Sequence, residues 1–355
     1  MIRVAFVLEQ HLGHRTFAEN LQAAVEANKR VAAHWVPVHY ANTGSPFERM
    51  PLPRSVRPIV RARREIKRGL SGTSADVVVF NTQVPAVIGS RAARRRPYVL
   101  ITDITPVQLD DLADEYRHRA DRRSLLRRSK HAWNRHVFAG ARTVIAWSTW
   151  TRDSVIGRYG VPAENVVVIP PGVDLDRWQV ATHEADGPVR ILFVGGDFER
   201  KGGPELLEAY KRLEPGASEL ILVTKNAPSV PPGVVVVDDV GPNDPRLLEL
   251  YRSSSIFALP SRAEAFGIAA VEASACGLPV VVADTGGLSD IVVDGVTGYR
   301  VAVGDVDRVT ERLGALVDSP ALRRRLGEAA RARAVEHFDA SRNGARLLDA
   351  ICERM

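Results

Sequence analysis

Short runs rich in valine and isoleucine recur along the chain, separated by stretches with helical apolar spacing, and this alternation leaves few folds open. In the first half they read IRVAFVLE (2–9), ADVVVFN (75–81), PYVLIT (97–102), ARTVIAWS (141–148) and NVVVIPP (165–171). In the second half they read VRILFVGG (189–196), SELILVT (218–224), GVVVVDDV (233–240), SSIFALPS (254–261) and LPVVVAD (278–284). Strands that are apolar throughout, instead of alternating, belong to parallel sheets covered by helices on both faces. The expected class is therefore α/β, with doubly wound Rossmann-like sheets. A chain of 355 residues exceeds one typical core and suits two domains of roughly 150 to 180 residues each.

The two halves open alike. IRVAFVLE is followed by a loop with Gly13 and the helix TFAENLQAAVEA; VRILFVGG is followed by a loop with Gly202 and Gly203 and the helix PELLEAYKRL. Between the halves, PPGVDLDRWQVATHEADGPVR (170–190) is rich in Pro, Gly and polar residues and reads as a linker and hinge. The boundaries predicted are a first domain over 1–172, a linker over 173–188, a second domain over 189–335 and a closing helix over 336–355. Open parallel sheets bind ligands beyond the carboxyl ends of their strands, so two such domains are expected to face each other across a ligand-binding cleft.

The apolar fraction of 45% and charged fraction of 25% exclude a disordered chain. The apolar core of MIRVAFVLEQHLG is shorter than the seven or so residues of a secretory h-region and far below the eighteen or so of a membrane span. Two cysteines, Cys276 and Cys352, make neither a disulfide framework nor a metal motif; Cys276 reads as a small buried apolar residue. A cytoplasmic compartment is expected. The net charge of +6 is unevenly divided: residues 1–180 hold 28 Lys and Arg against 16 Asp and Glu, a balance of +12, which leaves −6 for the rest. Basic clusters at 57–69 and 117–136 could meet nucleic acid, anionic headgroups or a phosphorylated substrate. They could equally be solvated helix faces. In the second cluster Leu125, Leu126, Trp133 and Val137 are expected to form one apolar face.

Two stretches carry chemistry. FVGGDFERKGG (193–203) ends a strand and opens a helix, with Arg200 and Lys201 just before two glycines. Glycine permits close backbone approach, a helix N-terminus offers free amides, and the two cations can neutralise phosphate. The spacing is neither a Walker loop nor a dinucleotide fingerprint. PSRAEAFGIAAVEASACGLPVVVADTGGLSDIVVDGVTGY (260–299) places Glu264 in a strand-to-helix loop and Glu272 one to two turns into a helix of small residues. Glu264 could merely complement the helix dipole. Glu272 fits that account poorly, because Ala269, Ala270, Val271, Ala273 and Ala275 look buried and an unpaired buried carboxylate is costly; a ligand's hydroxyl pair would be a natural partner.

These residues resemble the retaining, family-4 type of GT-B glycosyltransferases (glycosyl transferases group 1). The resemblance rests on Glu264 and Glu272 spaced E-x7-E, Gly286–Gly287, DGVTG at 294–298, Arg200 with Lys201, and VIPPGVD at 168–174. It is dense over 165–300 and weaker before. It implies a metal-independent enzyme that transfers a sugar from a nucleoside diphosphate sugar to an acceptor hydroxyl, without a cofactor. It further implies that Glu264 and the backbone of Phe266, Gly267 and Ile268 hold the donor sugar and phosphates, that Glu272 binds the ribose hydroxyls, and that Arg200 and Lys201 bind the diphosphate. Gly13, Gly195 and Gly196 would line the donor, the first domain would take the acceptor, and the last helix would cross back onto the first domain.

There are departures. Gly196 stands where many relatives carry arginine, the N-terminal loop has only Gly13 where a Gly-Gly pair is usual, and Asp103 occupies the place of a sugar-contacting histidine. His11 and His14 lie near the expected cleft. Asp174 and Asp176 in DLD belong to the linker pattern, and no metal site is expected. The acceptor is expected to be anionic or presented at an anionic membrane, with peripheral membrane contact and no nucleic acid. Two other readings remain open: a GT-B-like sugar-nucleotide epimerase, and a basic nucleic-acid-binding protein, the latter disfavoured because aromatics do not interleave the basic residues.

Overall fold

The computed structural model describes residues 1–10, 12–27, 30–40, 57–89, 95–118, 124–180, 187–241 and 244–353. It divides into two units. The first comprises residues 1–111, 119–170 and 341–355; the second comprises 112–118 and 171–340.

The first unit holds a six-stranded sheet of β1 (Ile2–Glu9), β2 (Val31–Val38), β3 (Val77–Phe80), β4 (Tyr98–Thr102), β5 (Thr143–Ala146) and β6 (Val166–Val168), in the order β2-β1-β3-β4-β5-β6. The second holds β7 (Val189–Val194), β8 (Ser218–Val223), β9 (Val234–Val237), β10 (Ile256–Leu259), β11 (Val280–Ala283) and β12 (Gly298–Val301), in the order β12-β11-β10-β7-β8-β9. All pairings within these sheets are parallel. Of the inner strands, β3, β4, β5, β10 and β11 are buried at every residue, as helices on both faces require.

Edge strands behave differently. Val235 and Val236 of β9 are exposed at 44% and 37%, although the run VVVV reads as fully buried. The edges β2 and β12 carry mixed sequences, VAAHWVPV and GYRV, and lack the continuous apolar run that marks the other strands. An edge strand is covered less, and β2 can accommodate Pro37 because an edge need not donate every ladder hydrogen bond.

The segment 171–180 packs into the second unit instead of acting as a free linker; 181–186 lie outside the described residues. Val173 bridges Asp339, and its amide donates to Phe338 at 2.8 Å. Trp178 is buried and meets Tyr251 edge-on at 5.2 Å. The Asp174 carboxylate accepts from the amides of Asp176 and Arg177 at 3.0 and 3.3 Å, so it caps a turn. The final helix, Ala340–Cys352, lies with the first unit from residue 341 on: Asn343 donates to the Pro170 carbonyl at 3.1 Å, and Arg30 pairs with Asp349 at 2.5 Å.

Two local expectations are corrected. Gly13 lies in the first turn of the helix Leu12–Ala27, not in a loop before it. In the helix Ser124–Ala139, Leu125, Leu126 and Trp133 are exposed at 75%, 51% and 46%, but Val137 is fully buried in the first unit's core. The helix rotates Val137 inward with Asn134 and Phe138, and the first turn projects beyond the core.

In the helix Pro320–His337, Gly327 faces the carbonyl of Gly277; a Cβ on Gly327 would sit 2.1 Å from that oxygen. Alanine in an open helix improves on glycine by about 1 kcal/mol, but backbone cannot yield as a side chain does. Gly327→Ala should therefore destabilise the protein by about 1–3 kcal/mol, read as a lower urea midpoint; a higher midpoint would contradict the close approach.

Candidate functional site

Three loops of the second unit, each following a strand's carboxyl end, are pressed together. After β7 the chain turns through Gly195 and Gly196 into the helix Gly203–Lys211. Gly195 is buried under the Lys201 stem, and a Cβ there would lie 2.9 Å from it; at Gly196 a Cβ would meet nothing within 4 Å. After β10, the segment Pro260–Gly267 leads into the helix Ile268–Ala275. The two loops are tied by the Arg262 amide donating to the Arg200 carbonyl at 2.9 Å, and by Arg200 Nη1 donating to the Ala263 carbonyl at 2.9 Å. Arg262 Nε also donates to Glu205 at 2.6 Å. After β11, Gly286 adopts φ +56°, and a Cβ there would fall 1.6 Å from the Glu264 carbonyl oxygen. Only glycine lets this third loop close on the second.

The compaction buries charge. Glu264 is 6% exposed, and its carboxylate accepts from the Lys201 ammonium. Burial pushes the Lys201 ammonium below its ordinary value; Glu264 opposes that shift and the neighbouring Arg200 adds to it. Arg200 Nε lies 3.5 Å from Asp197 Oδ2. Phe266 sends its side chain into the core against Phe338, with ring centroids 6.2 Å apart, so only its backbone is available at the loop. Gly267, at φ +108°, turns the chain into the helix that begins at Ile268.

Glu272 lies one turn along that helix and is 7% exposed. Tyr251 donates its hydroxyl to Glu272 Oε2 at 2.9 Å, a partner that no motif announces. Burial raises the Glu272 carboxyl from 4.5 to about 7, opposed by the Tyr251 hydrogen bond and by Arg177. Cys276 is buried, and its thiol is pushed up to about 12, by burial first and then by Glu272.

Gly195, Gly196, Arg200, Lys201, Glu264, Phe266, Gly267, Ile268 and Glu272 thus share one end of the second unit's sheet. Gly13 and Asp103 belong to the first unit. Asp103 follows β4; its Oδ2 lies 3.6 Å from His14 Nε2, and its carbonyl accepts from Thr151 Oγ1 at 2.5 Å. The His14 ring stacks obliquely on Trp147 at 5.2 Å; His11 lies outside the described residues. DGVTG forms a turn in which Thr297 Oγ1 accepts from the Val293 amide at 2.9 Å. Among the described residues no group of three His, Cys, Asp or Glu side chains is placed to hold a metal.

Residues 15–177 match the model of "Glycosyltransferase Family 4", and residues 239–333 match that of "Glycosyl transferases group 1". The chain belongs to the family-4 type of GT-B glycosyltransferases. Among curated proteins, the chain is 36% identical over 205 residues to an MMP alpha-(1->4)-mannosyltransferase of Mycolicibacterium hassiacum, covering 54% of the chain and 49% of that protein. It is 33% identical over 216 residues to D-inositol 3-phosphate glycosyltransferase 1 of Catenulispora acidiphila, covering 52% and 51%. The aligned stretch spans about half the length of these relatives. Among solved structures, a sucrose-phosphate synthase from Thermosynechococcus elongatus superposes with a TM-score of 0.78 at 18% identity, over 99% of each chain. Anabaena HepE in complex with UDP-glucose gives 0.73 at 18%, over 99% of this chain and 100% of that one. At these identities the likeness is one of fold.

The raised Glu272 carboxyl has a signed consequence for stability. A carboxyl whose folded value exceeds its unfolded value contributes stability that is complete below about 4.5 and lost as pH rises through about 7. The difference amounts to roughly 3 kcal/mol. Glu272→Gln should remove this component from the pH–stability profile. Tyr251→Phe, which deletes the hydroxyl that favours the carboxylate, should raise the Glu272 titration further in a carbon NMR experiment. A Glu272 titration near 4.5 would refute the assignment.

Proposed function

We propose that the protein transfers a sugar from a nucleoside diphosphate sugar to an acceptor hydroxyl, with retention at the anomeric carbon and without a metal. The single observation that carries this reading is the buried Lys201–Glu264 pair beside Arg200, where the loops after β7 and β10 meet. As the bond from anomeric carbon to diphosphate oxygen breaks, the electron pair stays on the diphosphate, and the acceptor oxygen bonds to the same face of the carbon while its proton passes to the departing phosphate. Charge therefore grows on the diphosphate. Preorganised cations and backbone amides stabilise such charge best when they need not reorganise; Arg200, Lys201 and the backbone at Phe266, Gly267 and Ile268 are fixed in this way. The names of the mannosyl- and inositol phosphate glycosyltransferase relatives support sugar transfer, and the UDP-glucose complex of the structural neighbour supports the donor class.

In this reading Glu264 touches the sugar and Glu272 the ribose hydroxyls, with Gly13, Gly195 and Gly196 against the donor and Asp103 near the transferred sugar. Thermal shift with UDP-, GDP- and ADP-sugars tests it, since a ligand at about a hundred times its dissociation constant stabilises by roughly 2.7 kcal/mol. Product analysis with donor alone separates transfer from epimerisation, and activity in a chelator tests independence from metal. Arg200→Ala and Lys201→Ala should each lower turnover about a hundredfold or more, roughly 2.7–4 kcal/mol of transition-state stabilisation. Glu272→Ala should chiefly weaken donor binding, and Glu264→Ala chiefly slow single turnover. Folding is checked by circular dichroism, because removing Glu264 strands a buried ammonium. Normal rates in all four variants would overturn the proposal.

The acceptor in this proposal is anionic or presented at an anionic membrane. Leu125, Leu126 and Trp133 are exposed on a helix that also carries Arg127, Arg128 and Arg135, and apolar residues among cations suit an anionic interface. Among the described residues no helix is long and apolar enough to cross a membrane. Binding to phosphatidylglycerol vesicles should fall with salt, and Leu125→Ser with Trp133→Ser should abolish it; binding to neutral vesicles alone, or to none, would remove the membrane from the proposal.

A further inference from the structure

The Arg200 guanidinium is held by more than its own loop. Besides Ala263 and Asp197, it lies over the ring of Tyr116, 4.6 Å from the centroid. Tyr116 comes from the first half of the sequence. It belongs to Leu112–His118, which groups with the second unit while the residues on either side group with the first. The excursion closes on itself, with the Tyr116 amide donating to the Leu112 carbonyl at 3.1 Å and the His118 amide to the Ala113 carbonyl at 2.8 Å. At Arg117, immediately after the tyrosine, φ is +49°, the only positive value at a non-glycine residue among those described. A left-handed residue with a Cβ persists where its surroundings over-determine it.

We propose that Tyr116 is a positioning residue for the diphosphate-binding guanidinium. A guanidinium has a flat face and a hydrogen-bonding edge. The tyrosine ring covers the face, Nη1 is turned to the Ala263 carbonyl at 2.9 Å and Nε lies 3.5 Å from Asp197, which among the described residues leaves Nη2 to meet phosphate oxygens. A cation held over an aromatic face keeps its charge and loses its rotational freedom. The first half of the chain therefore supplies part of the donor site through one side chain. This inference rests on the donor reading above.

The test is a mutant cycle read by calorimetry with UDP, GDP and ADP, continued with whichever diphosphate binds wild type most tightly. Tyr116→Phe keeps the ring and should bind within about twofold of wild type. Tyr116→Leu keeps the bulk and loses the ring; it should bind about tenfold more weakly, with an unchanged melting temperature. In an Arg200→Ala background the same leucine should cost nothing further, because there is no guanidinium left to hold. A leucine variant equal to wild type, or a leucine cost that persists without Arg200, would overturn the role of Tyr116 while leaving the donor reading intact. An Arg200→Ala variant that binds as wild type, or no binding by any of the three diphosphates, would overturn the donor reading itself and this inference with it. Should Tyr116→Leu fail to fold, Tyr116→Met makes the same comparison.

Discussion

The second unit depends on backbone meeting backbone at the ends of three parallel strands. Gly202 lies where a Cβ would fall 1.9 Å from the Pro260 carbonyl oxygen, and Gly286 where one would fall 1.6 Å from that of Glu264. These approaches bring the loops after β7, β10 and β11 close enough to enclose an ammonium and a carboxylate. Burying two charges costs more than their attraction returns unless geometry is good and further hydrogen bonds are made. The Lys201–Glu264 pair is thus a consequence of the loop packing and does not cause it. In the transfer proposed above, its value would lie in presenting charge that is already desolvated and already oriented.

The two carboxylates differ in what surrounds them. Glu264 has a cation as its partner; Glu272 has a neutral hydroxyl, from Tyr251, and a more distant arginine. Burial drives the Glu272 carboxyl toward protonation, and the Tyr251 hydroxyl opposes that only in part. Ligand hydroxyls donated to Glu272 would restore the ionised form, so affinity there would be coupled to pH. At Glu264 the Lys201 ammonium is already the partner. One helix-and-loop segment therefore holds two acids of different character, separated by eight positions and by what packs against each.

Charge is organised differently in the two halves. The first half's excess of basic residues over 1–180 is displayed on helices such as Arg57–Leu70 and Ser124–Ala139, while the second half's cations near the site are few and tethered. Arg200, Lys201 and Arg262 are each bound to a named oxygen. Diffuse surface charge attracts a partner over distance; tethered charge acts on a bound group at close range.

What the sequence determined by itself was the class of fold and the loops that make up the candidate site. Ten apolar runs without alternation required parallel sheets covered on both faces, because no other arrangement buries such strands twice. The glycines and charges at 193–203 and 260–287 marked the carboxyl ends where a ligand would lie. The edge strands β2 and β12 were not legible, since a strand covered less has no need of a continuous apolar run. Nor was the packing of 171–180: Val173 and Trp178 are too widely spaced to show a period, and only contact with Asp339 and Tyr251 reveals them as part of a core. Val137 read as part of one apolar face with Leu125, Leu126 and Trp133 because spacing states which residues share a face, not which end of the helix the core covers. Tertiary structure alone decided the partners of the charged residues. Tyr251 lies 21 positions from Glu272, Lys201 lies 63 from Glu264, and Tyr116 lies in the other half of the chain from Arg200. Such pairings are set by where loops converge in space, and sequence periodicity records only what each element buries.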